Sequence, residues 1–168
     1  FMLRTFASRL RGQRPGEVEL TAVAEWQGVP YCLGTASGHS ALHSALIGLE
    51  ISWGDEVITT PFTFFATAGS IWRTGARPVF VDVDRDSLMT TAERVEAAIT
   101  ARTKLIVPVH FAGASLDLDP FRATAEKHGI RLVEDAAHDR CRAPPHQTAK
   151  QAGARGRGFR RLGQRVRG

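Results

Sequence analysis

Apolar and polar positions along the chain alternate between two periods. Leu42, Ala45, Leu46 and Leu49 recur at three- and four-residue spacing, which predicts a helix over about 40–49. Gly54-Asp55 is a turn, and Glu56-Val57-Ile58-Thr59 behind it is strand-sized and rich in β-branched residues. A helix is expected over 64–73, closed by Thr74-Gly75, then a strand at Pro78-Val79-Phe80-Val81-Asp82. Thr90 with Glu93 has the spacing of a capping box for a helix reaching about Ile99. Lys104 to Val109 reads as a buried strand. Asp119-Pro120 opens a helix that His128-Gly129 stops, and Ile130 to Val133 is the last strand, ending in Glu134-Asp135. Upstream, the short apolar run Tyr31–Gly34 is expected to be a strand leading into small residues.

Strands alternating with helices argue an α/β fold with a mainly parallel sheet and flanking helices. In such sheets ligands collect outside the carboxyl ends of the strands. That singles out the polar residues following them: Ser37 to Ser40, Thr63, His110, and Asp135 with His138.

Composition changes this picture in one respect. The 168 residues are 43% hydrophobic and 23% charged, values of a globular domain, and the longest apolar runs are strand-sized. The net charge of +5, however, is unevenly placed. Residues 1–139 hold thirteen Lys+Arg against seventeen Asp+Glu, whereas 140–168 hold nine basic residues and no acid. The basicity belongs to the tail rather than to a folded face, which argues against a nucleic-acid partner. Cys32 and Cys141 lack metal-ligand spacing and read as reduced thiols, so a cytoplasmic protein without a metal site is expected.

Three local features carry candidate chemistry. Thr35-Ala36-Ser37-Gly38-His39-Ser40 places small residues at a helix start, where open amides and the helix dipole suit a phosphate. It is neither a Walker loop nor a dinucleotide fingerprint. His39 and His43 lie one turn apart, but no third metal ligand accompanies them. Asp135 at a strand end suits either a helix cap or a cationic ring nitrogen. Phe62, Phe64 and Phe65 suit either core packing or a stack against a flat ring. Taken together, a phosphate cradle, an aromatic plate and a strand-end carboxylate are the fixtures of pyridoxal 5'-phosphate (PLP), whose ring acts as an electron sink.

Five motifs occur in order: Gly54-Asp55-Glu56-Val57-Ile58-Thr59, Pro78-Val79-Phe80-Val81-Asp82, Ala98-Ile99-Thr100, Val109-His110-Phe111-Ala112-Gly113 and Glu134-Asp135-Ala136-Ala137-His138. The series resembles the PLP-dependent sugar aminotransferases of the DegT/DnrJ/EryC1/StrS family over about residues 24–138. Val81 to Met89 is most similar to the branch that makes 4-amino-4-deoxy-arabinose on a UDP carrier. The resemblance implies the large domain of a fold-type-I (aspartate aminotransferase-like) PLP transferase. It implies an amino group moved, usually from glutamate, onto a nucleotide-linked keto-sugar for bacterial surface polysaccharide or lipopolysaccharide, by a homodimer. It assigns Gly38, His39 and Ser40 to the cofactor phosphate, with His39 where the family has Thr. Phe64 becomes the ring stack, Asp135 the partner of the pyridinium nitrogen and His138 its neighbour on the ring-hydroxyl side.

The family's Schiff-base lysine follows a Ser-Phe-His-x-x-Lys type segment, and Lys104, Lys127 and Lys150 do not match that setting. No catalytic residue is therefore assigned, non-covalent PLP is expected at best, and the chain alone is expected to be inactive. The expected organisation is an ill-defined segment 1–23, a partial large domain 24–139 and a basic tail 140–168. The tail reads as a frameshift, a truncation or a solvated segment, and the four arginines of residues 1–16 fit a ragged fragment end or a transit peptide. The alternative function is a non-catalytic remnant or a binding protein with an Arg/Gly-rich tail. In the family, two later strands lie in the sheet between the strand entering the phosphate loop and the strand ending at Asp135; no strand-like run follows His138 here, so an open edge is expected beside the Asp135 strand.

Overall fold

The computed structural model describes residues 2–5 and 20–137. They fall into two compact units, one holding residues 2–5 and 35–137, the other residues 20–34.

The first unit is built on a parallel five-stranded sheet. Its strands are β1 (Met2–Thr5), β2 (Glu56–Thr59), β3 (Arg77–Phe80), β4 (Thr103–Ile106) and β5 (Arg131–Asp135), in the spatial order β1-β5-β4-β2-β3. The helices, numbered along the whole chain with α1 in the second unit, are α2 (Gly38–Gly48), α3 (Ala66–Arg73), α4 (Ala92–Ala97) and α5 (Asp119–His128).

Strand side chains alternate between faces, and both faces here are apolar. Val57, Leu105 and Val133 pack with Leu42 and Leu46 of α2 and Ile71 of α3. Their neighbours Ile58, Ile106 and Leu132 pack with Val95 of α4 and with Phe121 and Ala125 of α5. The split of helices between faces follows from the order of the strands. From β2 the chain steps outward to β3, then back past β2 to β4 and on to β5. Parallel crossovers keep one hand, so reversing the direction of travel moves the connecting helix to the opposite face. Accordingly α3 lies on one face, and α4 and α5 on the other. The connections leaving β2 and β4 therefore diverge, opening a crevice beyond their carboxyl ends.

Several boundaries differ from the sequence reading, each for a local reason. The cap of α4 is Thr91, whose Oγ1 accepts from the Arg94 amide at 3.4 Å; Thr90 is instead buried, one residue out of capping register. Helix α3 begins at Ala66, because Phe64 and Phe65 form the turn that leads into it. Strand β5 ends at Asp135, as expected. Helix α5 ends as expected, with Gly129 at φ 65°, a left-handed conformation that suits glycine.

One expected strand is absent. Among the described residues Tyr31–Gly34 pairs with no strand, and Tyr31 and Leu33 are 84% and 87% exposed. The edge of β5 is taken by Met2–Thr5, which pairs in parallel register from Met2 opposite Leu132 to Thr5 opposite Asp135. A strand persists only where its backbone finds a ladder, and the apolar composition of Tyr31–Gly34 was no guide to that. In the second unit, α1 (Leu20–Gln27) closes on Gly28 at φ 68°, with the Val29 amide donating back to the Ala24 carbonyl at 3.0 Å. Among the described residues no helix is long and apolar enough to cross a membrane.

Candidate cofactor site

Asp135 is the best-defined candidate. In β5 the pleat sends Val133 toward the α2–α3 layer, so Asp135, two residues on, faces the same way. Its backbone is tied to the segment after β4: its amide donates to the Pro108 carbonyl at 2.9 Å, and its carbonyl accepts from the His110 amide at 3.1 Å. The side chain is nearly buried, and its donors are neutral. Thr67 Oγ1 donates to Oδ2 at 2.6 Å and the Ala137 amide to Oδ1 at 3.2 Å. Among the described residues no basic side chain pairs with it, so its negative charge is solvated by dipoles alone.

The small-residue loop does start a helix, although Tyr31–Gly34 before it is not a strand. Ser37 is extended (φ −162°) and caps α2, its Oγ accepting from the Ser40 amide at 3.1 Å. The Ala41 amide takes the Ser37 carbonyl, which leaves the amides of Gly38 and His39 without a partner inside the helix. Helix α3 joins this terminus to Asp135. Ser70 Oγ donates to the His39 carbonyl at 3.3 Å, and the His39 ring lies beside Gly69, where an added Cβ would meet Cε1 at 3.6 Å. Thr67, on the same helix, holds Asp135. The imidazoles of His39 and His43 stand 6.4 Å apart, and among the described residues no cluster of metal-binding side chains forms.

The aromatics divide between the two features. Phe62, after β2, packs on Phe111, after β4, at 4.5 Å between centroids. Phe64 and Phe65 pack on each other at 4.5 Å and remain 60% and 70% exposed. Neither belongs to the two apolar cores of the described residues. His138 lies outside the described residues.

Thr67 was missed in the sequence; its hydroxyl lies 3.3 Å from that of Thr63, in the segment leading into α3. The other overlooked partner is Glu134, completely buried, which accepts from His110 Nε2 at 3.3 Å while His110 Nδ1 accepts from the Leu116 amide at 3.1 Å. That pattern fixes the proton on Nε2 and ties the loop after β4 to the end of β5. Burial pushes the Cys32 thiol up, away from thiolate chemistry.

Residues 9–156 match the model of the DegT/DnrJ/EryC1/StrS aminotransferase family. The chain belongs to this family. Among solved structures, the aminotransferase from Psychrobacter cryohalolentis is 43% identical with a TM-score of 0.70, over 72% of this chain and 31% of that one. DesV of S. venezuelae is 40% identical (TM-score 0.68, 70% of this chain, 32% of that one). NtdA of Bacillus subtilis, solved with bound cofactor PMP, is 31% identical (TM-score 0.68, 70% and 27%). The chain thus spans about a third of the length of these solved proteins, and its parallel α/β sheet is part of the fold-type-I large domain.

The donor set suits PLP. The two free amides of α2 fit a phosphate, Asp135 fits a cationic ring nitrogen, and the exposed Phe64 offers a flat apolar face. The lysines of the described residues do not complete it. Lys104 lies in β4 at the sheet's amino end, and Lys127, in the last turn of α5, bonds Glu96 at 2.5 Å.

Proposed function

We propose that this chain carries the ring- and phosphate-binding part of a PLP-dependent sugar aminotransferase site. The observation that carries the reading is a buried carboxylate at a strand end, held by neutral donors only among the described residues and joined through α3 to a helix N-terminus with free amides. Gly38, His39 and Ser40 would hold the phosphate, Phe64 would cover one ring face, and His138 would sit on the ring-hydroxyl side. Bound PLP supplies an electron sink that stabilises negative charge next to the migrating nitrogen. Asp135 keeps the ring nitrogen protonated, because an anion at hydrogen-bond distance favours the cationic form.

Family membership and the PMP of NtdA support transamination. The finer reading is glutamate as amino donor and a nucleotide-linked keto-sugar as acceptor, with the Val81–Met89 segment favouring the UDP-4-amino-4-deoxy-arabinose branch. The setting would be cytoplasmic synthesis of surface polysaccharide or lipopolysaccharide, by a homodimer. Because its lysines do not match the family setting, the 168-residue chain by itself is expected to hold PLP non-covalently and not to turn over.

Reconstitution tests both parts. The purified chain titrated with PLP should give a saturable absorbance change. Borohydride followed by peptide mass spectrometry should find no pyridoxyl-lysine at Lys104, Lys127 or Lys150, and glutamate with a UDP-keto-sugar should give no turnover. Failure to saturate would overturn the cofactor reading. A stoichiometric lysine adduct or sustained transamination would overturn the non-covalent one.

A further inference from the structure

The hydroxyl that holds Asp135 has a determined proton direction. Thr67 is only 2% exposed, so bulk water does not compete for it. Three oxygens surround its Oγ1: Asp135 Oδ2 at 2.6 Å, Thr63 Oγ1 at 3.3 Å and the Phe64 carbonyl at 3.4 Å. A threonine hydroxyl has one proton to donate. Aiming it at Thr63 or Phe64 would turn a lone pair on an anionic oxygen 2.6 Å away. The proton therefore lies on the line to Asp135, and Thr67 is left as an acceptor. Thr63 is the donor within reach. The resulting chain runs from the Thr63 hydroxyl to Thr67 and on to Asp135 Oδ2, while the Ala137 amide steadies Oδ1.

Each carboxylate oxygen accepts along two lone-pair directions. With one direction on each oxygen taken by these donors, the carboxylate cannot rotate freely, and a free direction remains for a cationic N–H. The segment that donates also contains Phe64, so plate and carboxylate are linked through one turn of chain.

We propose that Thr67, backed by Thr63, is a positioning residue that orients the Asp135 carboxylate toward the cofactor ring nitrogen. This rests on the PLP reading above and adds to it the pair that sets the carboxylate's direction.

The test is a PLP titration of the full chain, followed by the Kd and by the absorption band of the bound cofactor, which responds to ring-nitrogen protonation. Thr67→Val, which keeps the shape and removes the hydroxyl, should raise the Kd about tenfold, the scale of one hydrogen bond to a charged group, and should shift the band. Thr67→Ser should restore both to wild type, and Thr67→Val should add nothing in an Asp135→Asn background. Thr63→Val should weaken binding roughly two- to threefold, as loss of a neutral partner one bond removed, and it serves if Thr67→Val does not fold. Unchanged affinity and spectrum in Thr67→Val, or in Thr63→Val where it stands in, would overturn the proposal while leaving the PLP reading intact. Absence of PLP binding by the wild type would overturn both together.

Discussion

The two ends of the sheet treat buried carboxylates in opposite ways. At the amino end, Glu56 is 2% exposed and meets full positive charge: Arg102 Nη2 at 2.7 Å and Arg77 Nε at 3.9 Å, with the Thr100 hydroxyl at 2.6 Å. The Thr100 bond, then Arg102, holds its carboxyl below the usual carboxylate range. The exposed Trp53 and Trp72 line a groove of about 370 Å³ beside this cluster, and the two arginines on its wall are turned to Glu56. At the carboxyl end, Asp135 has only dipoles around it among the described residues. A carboxylate matched by guanidinium is electrostatically complete and serves the fold. One matched by hydroxyl and amide keeps an uncompensated charge, which a cationic ligand can satisfy.

The largest effect that would break this contrast is on cofactor affinity. Asp135→Asn should weaken PLP about 10- to 100-fold, the range expected for a charge-assisted hydrogen bond, while the melting temperature stays near wild type because the amide remains within reach of Thr67. Glu56→Gln should do the reverse, lowering the melting temperature and leaving PLP affinity unchanged. Equal losses of affinity in the two variants, measured by titration and thermal melts, would abolish the distinction.

A smaller effect separates the two exposed phenylalanines. Phe64→Ala should weaken PLP about two- to tenfold, the worth of one aromatic stack, and Phe65→Ala should have a lesser effect. If Phe65→Ala proves the more damaging, the plate is the wrong residue of the pair.

The smallest effect is on acid stability. Glu56 titrates below its unfolded value, so its stabilisation is complete above about pH 4.3, the ordinary glutamate value, and disappears as pH falls through the folded one. Glu56→Gln should flatten that acid limb in urea denaturation. An unchanged limb would mean that the arginine cluster does not stabilise the folded chain.

How far the sequence was legible depended on the range of the interaction. Helix α5 could be delimited almost to the residue, because Pro120 and Gly129 act through their own φ angles. The strand Glu56–Thr59 was equally plain, since its apolar run is bounded by a turn. The position of Asp135 at a strand end was legible too. Its hydrogen bond to Thr67 was not, because 68 residues separate the partners and only the packing of α3 against the sheet joins them. The link from Glu134 to His110 escaped for the same reason, across 24 residues.

By itself, then, the sequence determined the elements that close on local forces: helix periodicity, caps and turns, and strands apolar on both faces in an α/β order. The tertiary structure decided which strands pair and which side chains meet. Met2–Thr5 gave no strong local signal yet lies along β5, while the apolar Tyr31–Gly34 has no ladder to join. Pairing is a competition for backbone hydrogen bonds at a few sheet edges, and its outcome depends on residues far apart in the chain. The direction of Asp135 was decided in the same way, by a pleat, a neighbouring helix and one buried hydroxyl.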